Sequence, residues 1–153
     1  MSDFNQQNQE INGNQYNAGN INFSAEDKLE KYYRIALNWD KKTSLRSFDL
    51  SHRNLEDVNL SSADMMGANL SYTNLRNANL QKANLSEVNF LGTKLTNAKL
   101  IEADFYNSTV TTEQLLSASE LRKSRLTSGQ IYDGRFNLEG DVKKCQERYS
   151  LLF

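Results

Sequence analysis

The sequence predicts an all-β solenoid with short capping helices at both ends. Three observations carry this. First, an apolar residue stands at every fifth position: Leu50, Leu55, Leu60, Met65, Leu70, Leu75, Leu80, Leu85, Phe90, Leu95, Leu100, Phe105, Val110 and Leu115. At 38% apolar composition, fourteen consecutive hits arise by chance about once in a million, so the repeat is real. Second, the residue two before each centre is usually small, as at Ala63, Ala68, Ala78, Ala83, Ala98 and Ala103, with Val58, Val88, Thr73 and Thr93. Third, the residue between the two is usually a short amide or acid, as at Asn54, Asn59, Asp64, Asn69, Asn74, Asn79, Asn84, Asn89 and Asp104.

Neither regular element tolerates this period. A flat strand alternates faces, so an odd spacing sends successive leucines to opposite sides. A helix rotates residues five apart about 140° out of phase and spreads them around its circumference. A short extended piece followed by a corner in every five residues does fit. The small residue and the centre then point inward, the Asn or Asp between them points outward, and the next two residues turn the chain. Asn and Asp suit such a corner because their side chains bond nearby backbone amides.

The elements follow in chain order. Residues 1–23 form an Asn/Gln-rich leader: residues 1–22 hold seven Asn and four Gln, and only Asp3 and Glu10 are charged. Within INGNQYNAGNINF, Ile11, Tyr16, Ile21 and Phe23 are spaced among amides and glycines. This string resembles the Asn/Gly-rich amyloid signalling motifs related to the RIP homotypic interaction motif, which template the like motif of a partner. The resemblance implies assembly through Asn14, Gln15, Tyr16, Asn17, Ile21 and Phe23. A disordered leader and a strand added to the solenoid edge are the alternatives. Residues 24–45 form the N-terminal cap. Its helix over 24–39 starts at a Ser24/Asp27 capping box and carries Leu29, Tyr32, Ala36 and Trp39 at helical spacing.

The repeats occupy residues 46–116. The string SADMMGANLSYTNLRNANLQKANLSEVNF, residues 62–90, resembles the pentapeptide repeat family with its A(D/N)LXX consensus. That resemblance implies a right-handed quadrilateral β-helix with four repeats per coil, hence about three and a half coils. At the usual strand spacing the rod is only ~17 Å long. Leu50, Leu70, Phe90 and Val110 then stack as one column and Leu55, Leu75, Leu95 and Leu115 as the next. The pattern is broken by Arg53 and Glu113 at inward small positions and by Lys94 and Lys99 in place of Asn or Asp. Residues 117–153 form a C-terminal cap and tail. A second helix is expected over 113–124, a hairpin or loop crossing around Gly129 and Gly134, and a last short helix over 141–150. Both ends of a solenoid need such covers, because they present unpaired backbone groups and bare leucines.

Function is less legible. With 18 basic and 19 acidic residues, no global field points to nucleic acid or membrane. One cysteine and one histidine exclude a disulfide framework and any Cys/His metal or haem site. No secretory signal, membrane span, P-loop, GxGxxG or HExxH pattern is present, so the expected compartment is the cytoplasm. His52 falls on an outward corner beside Arg53. Cys145 lies among Lys143, Lys144 and Arg148, which lower a thiol pKa, although a structural thiol is the plainer reading. The expectation is a non-enzymatic protein–protein interaction or scaffold module without cofactor, metal, small-molecule substrate, nucleic acid or membrane partner. It is expected to form a homo-oligomer or assembly. Leu91, Ile101 and Tyr106, with Leu116 beyond, make the outward positions of the third coil unusually apolar. Either the C-terminal tail covers them or they form a self-association surface. The alternative function, by resemblance to family members that imitate DNA and protect gyrase, demands a strongly acidic rod. Residues 46–116 carry six basic and eight acidic side chains, which does not supply one.

Overall fold

The computed structural model describes residues 24–134. Helix α1 spans Ala25–Leu37. Ser24 caps it: the hydroxyl accepts the Asp27 N–H at 3.1 Å, and the Asp27 carboxylate accepts the Ser24 N–H at 2.9 Å. The helix stops short of Trp39, whose indole N–H instead donates to the Thr43 carbonyl at 2.9 Å. Asp40 then closes the turn into the repeats by accepting the Lys42 and Thr43 N–H groups.

From Leu45 onward the chain winds as a quadrilateral coil. Parallel bridges join residues twenty apart: Asp49 to Asn69, Asn54 to Asn74, Asn59 to Asn79, Asp64 to Asn84, and so on to Asn84 with Asp104. Twenty residues per turn is four pentapeptides, one to a side. Each side contributes a single bridged residue, because a corner follows at once, so the β character resides in the ladders between coils. Two bonds recur on every rung of the second side. The Leu55 N–H donates forward to the Asn74 carbonyl at 2.8 Å, and the Asn74 N–H donates back to the Arg53 carbonyl at 2.9 Å.

The corners have the signature of type II turns. The N–H of each small residue donates to the preceding centre, as Ala78 does to the Leu75 carbonyl at 3.1 Å, and the residue just before it has positive φ. Most of these left-handed positions hold residues other than glycine, including His52 at 59°, Tyr72 at 57° and Lys82 at 60°. Each costs about 1–2 kcal/mol outside such a setting. The Asx turn before the corner offsets that cost. Asn74 Oδ1 accepts the Arg76 N–H and its amide donates to Asn54 Oδ1 at 2.9 Å, so one side chain closes a turn and links two coils.

All fourteen predicted centres are buried, and Leu45 adds another one pentapeptide earlier. Thr73 and Thr93 occupy inward positions without loss, since their hydroxyls donate to the Leu50 and Leu70 carbonyls at 2.7 Å. Arg53, anomalous at an inward position, reaches out of the N-terminal end. There it meets Glu30 at 3.5 Å and the Tyr33 ring at 5.2 Å. The Tyr33 hydroxyl donates to the Asn54 carbonyl at 2.9 Å, a group that has no preceding coil to bond. Tyr32 stacks on Phe48 with centroids 4.1 Å apart.

The expected helix over 113–124 is shorter: α2 spans Thr112–Ser117. Beyond it Ser119-Glu120-Leu121 and Ser124-Arg125-Leu126 repeat the small–polar–apolar triplet one residue out of phase. Burying Leu121 and Leu126 in the coil ends the helix early. The bridges Lys99 to Glu120 and Asp104 to Arg125 accordingly join residues twenty-one apart. A hairpin around Gly129, φ 84°, then brings Ile131 antiparallel to Arg125. The leader and the helix expected over 141–150 lie outside the described residues.

Candidate interaction surface

Two kinds of outward residue recur on the rod. The Asn or Asp side chains of each side bond one another from coil to coil, as Asn74 does to Asn54, and the corner residues are freer to form a surface. Residues 91, 96, 101 and 106 begin four successive corners, and the apolar outward residues therefore face different ways. Leu91 is 59% exposed. Ile101 is half-buried beneath the chain that returns after α2. Tyr106 is partly covered: the Arg125 guanidinium lies 4.7 Å from its centroid, held by a two-pronged ion pair to Asp104 at 2.7 Å. Leu116 is half-buried in α2. Asn14, Gln15, Tyr16, Asn17, Ile21 and Phe23 lie outside the described residues.

Sequence reasoning missed the residues that flank Leu91. His52, Tyr72 and Gly92 occupy the same left-handed corner position in three coils, at a spacing of twenty. The rings of His52 and Tyr72 stack at 4.9 Å and 14°. On its other side Tyr72 lies against Gly92, where a Cβ would fall 2.6 Å from its ring. Both faces of Tyr72 are thus occupied, yet the side chain is 55% exposed. The Tyr72 N–H also donates to the Leu91 carbonyl at 2.7 Å, which fixes the two side by side. Ser51, Ser71 and Thr111 complete this corner, which has no formal charge when His52 is neutral. The spacing of twenty was the signal that would have found it.

The other corners are charged or amide-rich. Glu102 sits between Lys82 at 3.8 Å and Lys123 at 4.0 Å, and the Asn77 amide donates to Asp57 at 3.0 Å. Carboxylates held below their ordinary range serve the turns. The Ser24 hydroxyl lowers Asp27, the Thr43 N–H lowers Asp40, and the backbone N–H of Glu113 itself, with the Thr111 hydroxyl, lowers Glu113. Among the described residues no group of three or more His, Cys, Asp and Glu is placed to hold a metal ion, and no helix is long and apolar enough to cross a membrane.

The family model "Pentapeptide repeats" matches residues 43–81 and 73–111. A comparison with curated proteins gives no match. Among solved structures, a pentapeptide repeat protein from the thylakoid lumen of Arabidopsis thaliana is 20% identical, with a TM-score of 0.49 over 60% of this chain. This chain covers 63% of that protein, less than two thirds of its length. A pentapeptide repeat protein from Nostoc PCC 7120 is 22% identical over 78% of this chain and 93% of its own, with a TM-score of 0.45. HetL, a pentapeptide repeat protein involved in heterocyst differentiation regulation from Nostoc sp. strain PCC 7120, is 26% identical. The match covers 55% of this chain and 43% of HetL, with a TM-score of 0.24. Residues 43–111, which hold the ladders, the corners and the exposed Tyr72–Leu91 pair, thus match the pentapeptide repeat family over a little under half of the chain.

Proposed function

We propose that the chain is a non-enzymatic protein–protein interaction module, with the repeat rod as a rigid pillar. One observation carries the reading: an uncharged corner presents Tyr72 and Leu91, both more than half exposed, on a rod whose other corners are charged or amide-rich. Tyr72 is held between His52 and Gly92, so it loses little side-chain freedom when a partner covers it. Residues 1–23 add a second candidate contact, an amide-rich string suited to pairing with a like string. The scattered charges favour this reading over DNA imitation. Glu56, Glu87 and Glu102 sit on three different corners, with Arg76 on the corner of Glu56 and Lys82 on that of Glu102.

A second copy of the chain is the first partner to test. Light scattering of the full chain, of a chain lacking residues 1–23 and of Leu91→Arg separates the two contacts. A mass that falls to monomer only on truncation assigns assembly to the leader. A fall only in Leu91→Arg assigns it to the corner. A full chain that is monomeric at every concentration removes self-assembly from the proposal.

A further inference from the structure

The N–H that opens each corner of the rod needs an acceptor, and the repeat supplies one from its own side chains. From Ser51 to Leu91, and again at Tyr106, the acceptor is the Asn or Asp two residues earlier, as Asn69 is for Ser71 at 3.1 Å. Three of these acceptors are carboxylates. Asp49 takes the Ser51 N–H at 3.0 Å, Asp64 that of Met66 at 3.4 Å and Asp104 that of Tyr106 at 2.9 Å. Thr96 and Ile101 instead follow Lys94 and Lys99, and a lysine ammonium only donates. Their N–H groups are left to solvent or to a ligand.

The two positions differ in their surroundings. Ile101 is half-buried beside Glu102, and Lys99 before it is bridged to Glu120. Thr96 stands among cations. Lys94 precedes it by two residues and Lys99 follows by three. Arg76 opens the same corner one coil earlier, where the Asn77 N–H donates to the Thr96 carbonyl at 3.0 Å. All three cations are exposed, and among the described residues none has an acid within ion-pair distance, unlike Lys82 and Arg125.

We propose that the Thr96 corner binds a short acidic segment of a partner protein, one carboxylate of which accepts the Thr96 N–H and the Lys94 ammonium. That carboxylate takes the place that Asp49, Asp64 and Asp104 fill at their own corners. Arg76 and Lys99 then pair with neighbouring acids of the segment. The cationic patch is two coils, ~10 Å, tall, which spans about three residues of extended chain. Glu56 and Asp57 bound it on the coil before, and Glu120 on the segment after. These acids turn away a long polyanion such as a nucleic acid duplex. The proposal does not rest on the Tyr72–Leu91 corner, which is a separate corner of the rod.

Titration of the isotope-labelled full chain with hexaglutamate, followed by NMR, tests this. The Thr96 amide resonance is expected to shift the most among the corner amides. Lys94→Asn restores the acceptor that the repeat uses elsewhere, so it keeps the fold while occupying the N–H and removing the ammonium. It is expected to weaken binding about tenfold, the worth of one charge-assisted hydrogen bond. Arg76→Gln leaves the N–H in place and is expected to weaken binding by a smaller factor. No shift at Thr96 with millimolar peptide overturns the proposal, as does equal affinity in Lys94→Asn and the parent. Inorganic phosphate or a DNA duplex that moves Thr96 as far as hexaglutamate at equal charge overturns the assignment to an acidic protein segment.

Discussion

The middle coils and the C-terminal end use the same five-residue pattern but close their hydrogen bonds differently. Between Asp49 and Asp104 the rungs are twenty apart and backbone bonds backbone. At the C-terminal end α2 draws the backbone away, and side chains substitute for it. The Phe90 N–H donates to Thr109 Oγ1 at 2.8 Å. The Gln114 amide donates to the Phe90 carbonyl at 2.7 Å and to the Thr93 carbonyl at 2.9 Å, while Gln114 Oε1 accepts the Thr111 N–H at 2.8 Å. One glutamine thus completes the ladder and caps the helix that interrupts it. A regular repeat specifies its bonds by register alone, whereas an interrupted one depends on particular side chains.

That contrast sets the order of expected effects. Leu75→Ala empties a fully buried position in the middle coils and is expected to destabilise the fold by about 3–5 kcal/mol in denaturant unfolding. A loss below ~1 kcal/mol would mean the coil collapses around the gap. Gln114→Glu keeps a capping-box residue for α2 but cannot donate to two carbonyls, so a loss of about 2–3 kcal/mol is expected at neutral pH. A neutral result would show that the side-chain rungs are dispensable.

Two glycines in the same corner role sharpen the comparison further. Gly92→Ala drives a methyl into the Tyr72 ring and is expected to cost about 2 kcal/mol, with part returned in the Tyr72→Ala double variant. Gly67→Ala meets only Ser47 Oγ at 3.5 Å and is expected to cost about 1 kcal/mol, for its positive φ alone. Equal costs would separate the Tyr72–Gly92 approach from stability.

The smallest effect concerns acid. Asp27 titrates below its ordinary value of 3.8 because the folded state bonds its carboxylate. Its contribution is complete above 3.8 and is lost as the pH falls through the lowered value. Glu113 follows the same sign at the start of α2. Circular dichroism between pH 5 and 2, about the range where carboxylates titrate, is expected to show the helices loosening before the coil. Simultaneous loss of both would refute separate capping.

Much of this molecule was legible because its pattern is local. The buried centres, the Asx corners and the Ser24/Asp27 cap each depend on residues within about one turn of one another, and all were readable. The Tyr72 corner was not, because His52, Tyr72 and Gly92 meet only after a full coil of twenty residues. The length of α2 was not either. Leu115, Ala118 and Leu121 follow one another at three residues, a spacing that a helix face allows, and only burial of Leu121 in the coil shows that the helix has already ended.

By itself the sequence determined which side chains point inward, because a period of five with a small residue two before each centre excludes both regular elements. Tertiary structure alone decided where the register slipped from twenty to twenty-one, and that Tyr72 and Leu91 stand together in the open. The reason is the range of the forces involved. Turn chemistry acts between adjacent residues, whereas stacking and exposure depend on residues a whole coil apart in sequence and ~4.8 Å apart in space.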